Sequence, residues 1–418
     1  MSKRNDRALM RLAGLYGVQT SYEDIAHQEQ HATPETLLRT LQALGAPVET
    51  AADAPAALRE RTETLAGDGI EPVLVAWSGR LTAVPLRLDE SVAHRTVRYT
   101  VRMEDGSVRT GDARPEPVAR KRSKPGSATH RISIGGTLPL GYHDLEIETA
   151  DDILRSRIIA APRRAYTPPG QSEWGVFMPL YAVRGAEDWG VGSYTDLQQL
   201  ARWTRARGGA FVGTLPLLAS FVDVCFEPSP YAPVSRLFWN ELFIDVTRAP
   251  GWSPHLSATI DRGTIDGSAL VDYRAVGNVK LQALRAAAEQ YFAGGDTDAL
   301  DRFVEGRPNV RDYARFRAVL DRRRESWHTW PERLRNGDIT ESDYAAADER
   351  YHMYAQWVAD TQLDAIASAA RADSAALYLD LPLGVSADGY DAWREQALFA
   401  QQASTGAPPD ALFTGGQD

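Results

Sequence analysis

The chain has 418 residues, 46 of them Lys or Arg and 56 Asp or Glu, for a formal net charge of −10; hydrophobic residues make up 43% and charged residues 24%. At about 150 residues per domain there is room for two or three domains, in an ordinary globular balance that is not that of a disordered chain. The single cysteine, Cys225, excludes an intrachain disulfide or a multi-cysteine zinc site; the acidic balance argues against a nucleic-acid partner, and no stretch approaches the roughly 20 apolar residues of a membrane span.

The N-terminal run MSKRNDRALMRLAGLYG lacks the apolar stretch and cleavage site of a secretory signal, so a cytoplasmic location is expected. Residues 1–60 read as short helices. Ser21 and Asp24 have N-cap and N3 spacing. Thr33-Pro34 is a second start, a capping hydroxyl followed by proline at the first helical position. Leu37, Leu38, Leu41 and Leu44 then share one face, and Gly45 can stop the helix.

From about residue 70 the period changes to two. Val73, Val75 and Trp77 alternate before the turn pair Ser78-Gly79, and Leu81 to Leu88 reads as the partner strand. Val97, Tyr99, Val101 and Met103 alternate up to Asp105-Gly106, a hairpin turn. Ile132 with Ile134, and Leu145 with Ile147, supply further strands, so residues 65–160 form an antiparallel β-sandwich. The basic run 120–124 within it reads as a solvated loop.

The proline pair in AAPRRAYTPPG (160–170) marks a linker. Beyond it strand and helix alternate. Val176 to Leu180 is a strand; Ser193 starts a helix with Leu197, Leu200, Ala201 and Thr204 on one face; Gly208-Gly209 ends it; and Phe211 to Leu215 is a second strand. This is a βαβ unit, the element of a parallel sheet or barrel. Residues 276–371 read as a long helical insertion, with Tyr351, Tyr354, Ala355, Val358, Leu363, Ile366, Ala367 and Ala370 at helical spacing. Leu377 to Leu379, ending in Asp380, is a third strand.

Several motifs fail as sites. His27 and His31 are one helical turn apart, but no third metal ligand is visible, and a surface helix accounts for them. Gly190-Val191-Gly192 lacks the third spaced glycine of a dinucleotide loop, and Cys225 has no activating neighbour in sequence. The carboxylates and aromatics carry more information, because barrel enzymes place functional groups at the C-terminal ends of strands. Asp380 follows the third strand, and Ser229-Pro230-Tyr231 sits in the long loop after the second. Tyr231, Asp380, Asp410 and Gln417 have the side chains that bind sugars, by ring stacking and by hydrogen bonds to hydroxyls. By spacing alone they do not outrank turn and capping residues.

Four runs in order change that ranking. GVFMPLYAVRGAEDWGVGSYTDLQQLARWTRARGGAFVGTLPL (175–217), EPSPYAPVSRLFWNELFIDV (227–246), LYLDLPLGVSADGYDAW (377–393) and GAPPDALFTGGQD (406–418) resemble the 4-alpha-glucanotransferases, or amylomaltases, of glycoside hydrolase family 77. LPLGYHDLEIE (138–148) is similar to the extended bacterial type. The resemblance covers nearly the whole chain. One departure is Glu241, where the family usually has proline after the asparagine.

The resemblance implies an α/β chain: a helical segment and β-sandwich, then residues 171–418 as the first part of a (β/α)8 TIM-type barrel carrying the helical insertion. It implies segment transfer between α-1,4-glucans, such as maltooligosaccharides, maltodextrin, glycogen or starch-like chains, to a 4-hydroxyl. Transfer with retention uses a nucleophile, a general acid/base and a covalent glycosyl-enzyme, with no metal or organic cofactor. Ser229 and Tyr231 would form sugar subsites, Asp380 would accept hydroxyl hydrogen bonds, and Asp410 through Phe413 would cover the glucan. Gln417 would contact a sugar, and Trp189 would pack at the first loop.

The family's catalytic aspartate lies in an Arg-Ile-Asp segment after a fourth strand, and no such segment follows Asp380, so no catalytic residue is assigned. Three strands of an eight-stranded barrel leave open parallel edges. The expectation is therefore the N-terminal part of a longer enzyme, inactive by itself. The competing readings are a non-catalytic α-glucan-binding protein or pseudo-enzyme, and an α-amylase-type hydrolase.

Overall fold

The computed structural model describes residues 3–416 apart from 25, 68, 82, 90, 91, 119–126, 151, 168–172, 186, 264, 266–269, 374, 405, 408, 410–412, 414 and 415. The basic run 120–124 lies outside the described residues. The chain is mixed α/β and divides into two units, residues up to 170 with those from 406 onward, and residues 171–405. No helix among the described residues is long and apolar enough to cross a membrane.

The first unit begins with three helices and a small hairpin: α1 (Lys3–Leu15), strands β1 (Ser21–Glu23) and β2 (Glu29–His31), α2 (Pro34–Ala43) and α3 (Ala54–Gly67). Thr33 caps α2 by accepting the Thr36 N–H at 3.2 Å, and Gly45 takes φ +77° just beyond its end. Leu37 and Leu41 join Leu9, Leu12 and Ala54 in one core, whereas Leu44 stays exposed.

The Ser21–Asp24 helix start is not formed. Ser21 pairs with His31 in an antiparallel ladder, and the Asp24 carboxylate accepts the Ala26 and Gln28 N–H groups at 2.8 and 3.0 Å, closing the turn. Aspartate so used stabilises a turn instead of a helix, and the segment has no apolar face to bury. His27 and His31 consequently sit in a turn and on a strand, not on a surface helix.

The sandwich has one sheet of β3 (Val73–Trp77), β10 (Ile153–Ala161), β9 (Gly141–Glu148), β5 (Val97–Arg102) and β6 (Val108–Ala113), in that order. The second sheet is β4 (Val84–Asp89), β8 (Ser127–Ile132) and β7 (Glu116–Pro117). Asp105-Gly106 makes the β5–β6 hairpin turn, with Gly106 at φ +84°. Val97, Tyr99, Val101, Leu145, Ile147 and Ile132 meet in the core between the sheets.

Two sequence expectations are corrected here. Ser78-Gly79 does turn the chain, but the next strand, β4, pairs with β8 in the other sheet, and β3 pairs in parallel with β10. The β3 alternation is also inverted. Leu74 and Ala76 face the core, while Val73, Val75 and Trp77 are 48%, 45% and 51% exposed. A period of two assigns two faces but does not say which is inside when both carry apolar residues.

The second unit opens with β11 (Gly175–Phe177), α4 (Tyr194–Ala206) and β12 (Phe211–Thr214). The sequence extended the first strand to Leu180; instead a 3-10 turn covers Leu180–Ala182. Ser193 and Asp196 form a capping box at the start of α4, and Leu197, Ala201 and Thr204 are buried along it. Helices α5 (Pro254–Thr259), α6 (Tyr273–Ala293), α7 (Asp298–Glu305), α8 (Asn309–Arg323), α9 (Glu332–Arg335) and α10 (Ala346–Ala372) follow, then β13 (Ala376–Leu379) and α11 (Tyr390–Arg394). Strands β11, β12 and β13 form one parallel sheet in that order, as barrel strands do. Tyr351, Tyr354, Ala355, Val358, Leu363 and Ile366 are core, packed with Leu197 and Val212. A second core gathers Phe316, Trp330, Tyr390 and Trp393.

Gly190 and Gly192 are explained by close approach, not by a cofactor. A Cβ on Gly192 would lie 2.3 Å from the Leu180 carbonyl oxygen, and one on Gly190, whose φ is +83°, 2.4 Å from Ile265 Cγ2. Gly192→Ala is therefore expected to destabilise the fold by about 1–3 kcal/mol through backbone overpacking. Gly14→Ala, where the new methyl meets nothing within 4 Å, serves as the control. Equal urea midpoints for the two variants would contradict this account.

Candidate functional site

The site is built at the C-terminal ends of β12 and β13. Parallel pairing places Thr214 opposite Leu379, and the Asp380 N–H continues the ladder by donating to the Thr214 carbonyl at 3.2 Å. The Thr214 hydroxyl accepts the Leu180 N–H at 3.1 Å. One fully buried threonine thus ties together the chain leaving all three strands.

The loop after β12 folds back on itself. Ala219 N–H donates to the Phe238 carbonyl, Val234 N–H to that of Ala219, and Asn240 N–H to that of Leu217. Phe221, Val234 and Phe238 anchor it in the second core. At its tip Glu227 accepts the Ser229 N–H at 2.9 Å, and the Ser229 hydroxyl accepts the Tyr231 N–H at 3.3 Å. Ser229 therefore shapes the turn that presents Tyr231. The Tyr231 ring is 51% exposed.

Tyr231 and Asp380 come together. The phenol donates to Asp380 Oδ2 at 2.8 Å, and Asp380 Oδ1 accepts the Leu381 N–H at 2.9 Å. This hydrogen bond first, then burial and the carboxylate's charge, holds the Tyr231 phenol above its ordinary value. The pair offers a ring face for stacking beside an oriented carboxylate with lone pairs to accept hydroxyl hydrogens. Asp410 and Gln417 lie outside the described residues.

The other singled-out residues are structural. Trp189 is buried edge-on to Trp252, with ring centroids 5.7 Å apart, and Arg262 lies over its face. The Cys225 thiol is pushed up to about 11 by burial and by Asp388, the opposite of an activated thiolate. Glu241 begins a 3-10 turn capped by Asn240. Its carboxylate meets Arg317 Nη2 at 3.4 Å and the Tyr351 hydroxyl at 3.5 Å, so the departure at this position has a buried cationic partner. A cavity beside it, lined by Glu241, Arg317, Asp321, Tyr351 and His352, includes neither Tyr231 nor Asp380. Among the described residues no group of three or more His, Cys, Asp or Glu side chains could hold a metal ion.

Sequence reading missed three residues that join the two loops. The Ser235 hydroxyl donates to Asp391, the Arg236 N–H donates to Asp391 Oδ2 at 2.9 Å, and Arg236 Nη1 donates to the Pro382 and Leu383 carbonyls at 3.3 Å. Their partners are about 150 positions apart in sequence, and no local spacing announces such a contact.

Comparison with known proteins gives the site its context. Residues 178–418 match the family profile described as 4-alpha-glucanotransferase, of glycoside hydrolase family 77, and residues 69–162 match the MalQ N-terminal beta sandwich domain. The chain is 28% identical to a 4-alpha-glucanotransferase of Mycobacterium tuberculosis over 449 aligned positions, covering 98% of this chain and 60% of that protein. It is 27% identical to a 4-alpha-glucanotransferase of Haemophilus influenzae, covering 67% of this chain and 45% of the relative. The crystal structure of amylomaltase from Corynebacterium glutamicum superposes with TM-score 0.75 at 27% identity, covering 99% of this chain and 60% of the other. The chain thus spans about 60% or less of the length of these relatives. With well over half of its residues matched by the profile, the chain belongs to the 4-alpha-glucanotransferase family, glycoside hydrolase family 77.

Proposed function

We propose that this protein is a 4-alpha-glucanotransferase. It cuts an α-1,4-glucan and passes the donor segment, with retention through a covalent glycosyl-enzyme, to the 4-hydroxyl of glucose or of another glucan. The observation that carries the reading is the Tyr231–Asp380 pair at the C-terminal edge of adjacent parallel strands, where a barrel enzyme assembles its site, in a chain of this family. Tyr231 stacks on a glucose ring, Asp380 accepts sugar hydroxyl hydrogens, and Ser229 helps form the subsite by holding the turn that presents Tyr231. By resemblance alone, Asp410 through Phe413 cover the glucan and Gln417 contacts a sugar. The nucleophile and acid/base are not assigned to any of these residues. The substrates are maltooligosaccharides and maltodextrin- or glycogen-like chains, and the location is the cytoplasm. Residues 1–60 serve as a helical segment, 65–160 as the sandwich and 171–418 as the first part of a (β/α)8 barrel, with a helical insertion over 276–371.

The test is product analysis with maltotriose, using protein expressed from its complete reading frame. Transfer gives glucose together with longer dextrins. Shorter sugars alone would make it a hydrolase, and binding without turnover would leave a non-catalytic glucan-binding protein. In the active protein, Tyr231→Ala is expected to lower kcat/KM for maltotriose by about 1–3 kcal/mol, or roughly 5- to 150-fold. Tyr231→Phe, which keeps the ring, should lose less. Wild-type kinetics for the alanine variant would remove Tyr231 from the site.

A further inference from the structure

Tyr231 and Asp380 belong to different loops, and their 2.8 Å hydrogen bond joins two exposed tips. Something must hold those tips in register. A backbone seam joins the two loops: the Ser386 N–H donates to the Pro233 carbonyl at 2.9 Å, and the Tyr390 N–H donates to the Val234 carbonyl at 2.7 Å. Gly389 lies so close that a Cβ there would be 2.5 Å from the Val234 oxygen. The seam fixes residues 386–390 against 233–234. It does not reach 380–383, the segment that carries the carboxylate.

One side chain spans that gap. Arg236 directs a guanidinium N–H to the carbonyls of Pro382 and Leu383, two and three residues past Asp380. Its backbone N–H and the neighbouring Ser235 hydroxyl are both taken by the Asp391 carboxylate. Asp391 therefore orients the main chain of Arg236 and leaves the guanidinium to the carbonyls. The segment 380–383 is held at both ends, by Thr214 through the Asp380 N–H and by Arg236 through the two carbonyls. The Nη1 amino group is suited to this, since its two N–H donors serve both carbonyls and the guanidinium charge strengthens each bond.

We infer that Arg236 is a positioning residue for the Tyr231–Asp380 pair, fixing the turn after β13 so that the carboxylate meets the phenol and the pair is preorganised for a glucan hydroxyl. The geometry of the clamp stands by itself; its consequence for glucan use rests on the transferase reading above. Preorganisation of this kind acts on substrate binding without touching the substrate.

The experiment follows the Tyr231 phenol directly. Ring-carbon NMR of tyrosine-labelled protein, assigned with Tyr231→Phe, gives its titration. In wild-type protein the phenol titrates above the ordinary range. Arg236→Ala is expected to move it toward that range, as Asp380→Ala does, while Arg236→Lys, which keeps the charge on a nitrogen one bond short of Nη1, moves it less. In the active protein Arg236→Ala should raise KM for maltotriose about 3- to 10-fold with a smaller change in kcat. A Tyr231 titration unchanged in Arg236→Ala overturns the inference. If the alanine variant does not fold, Arg236→Gln, which keeps an NH2 group on a shorter side chain without the charge, gives the same reading by an intermediate titration, and an unchanged one again overturns it. A titration that moves while Arg236→Ala and Tyr231→Ala both keep wild-type kinetics supports the clamp and overturns the glucan role of the pair.

Discussion

Asp321→Ala is expected to lower the unfolding free energy of the 171–405 unit by about 3–5 kcal/mol at pH 7. Asp321 lies on α8 and accepts hydrogen bonds from Arg285 on α6 and His352 on α10, both at 2.9 Å. One carboxylate therefore pins three helices. Without it, Arg285 keeps only Asp348 as a carboxylate partner among the described residues, and the buried His352 loses its own there. Burial alone raises the Asp321 carboxyl, but the charge and hydrogen bond of His352, followed by Arg317 and Arg285, outweigh it and bring it down to about 2 from 3.8. A depressed acid contributes its stability above the unfolded value and loses it as pH falls toward the folded one. The wild-type protein should thus shed about 2 kcal/mol between pH 4 and pH 2 that Asp321→Ala does not have to lose. Urea unfolding at both pH values measures this, and parallel pH profiles for the two proteins would refute it.

Lys280→Met should act in the opposite direction, raising stability by about 1–4 kcal/mol at pH 6. Lys280 on α6 is 2% exposed, and its ammonium has no hydrogen-bond partner among the described residues. Desolvation pulls it down to about 7 from 10.5 against the attraction of Asp245, Asp196 and Asp188. Between those values the unfolded chain binds the extra proton, so wild-type stability rises with pH from about 7 to 10.5, a span worth about 5 kcal/mol. Methionine fills a similar volume without the charge. Its advantage should be largest at pH 6 and shrink by pH 9. A gain that stays constant over that range would place the effect in packing instead of charge.

The structure separates what was legible from what was not. The α2 cap at Thr33-Pro34, the helix start at Ser193 and the Asp105-Gly106 turn were legible because each is satisfied by atoms within three or four residues. The helical stripe from Tyr351 to Ile366 was legible because spacings of three and four residues place these side chains on one face, which packs into the core. Ser21 and Asp24 misled because a capping carboxylate and a turn-closing carboxylate have the same local chemistry. Tyr231 and Asp380 stand out by their side-chain chemistry after barrel strands and, in rank, by motif resemblance, but nothing in their spacing predicts a shared hydrogen bond across 149 positions.

By itself, then, the sequence determined the family, the order of most elements, the periods of two and of 3.6, and the starts at Thr33 and Ser193 with the Asp105-Gly106 turn, since these rest on local contacts and on composition. Only the tertiary structure decided which face of β3 looks inward, which strand β3 pairs with, and how Arg236 holds the chain beyond Asp380. Burial and pairing between distant segments are set by what packs against each surface, and that is a property of the assembled chain, not of any window along it.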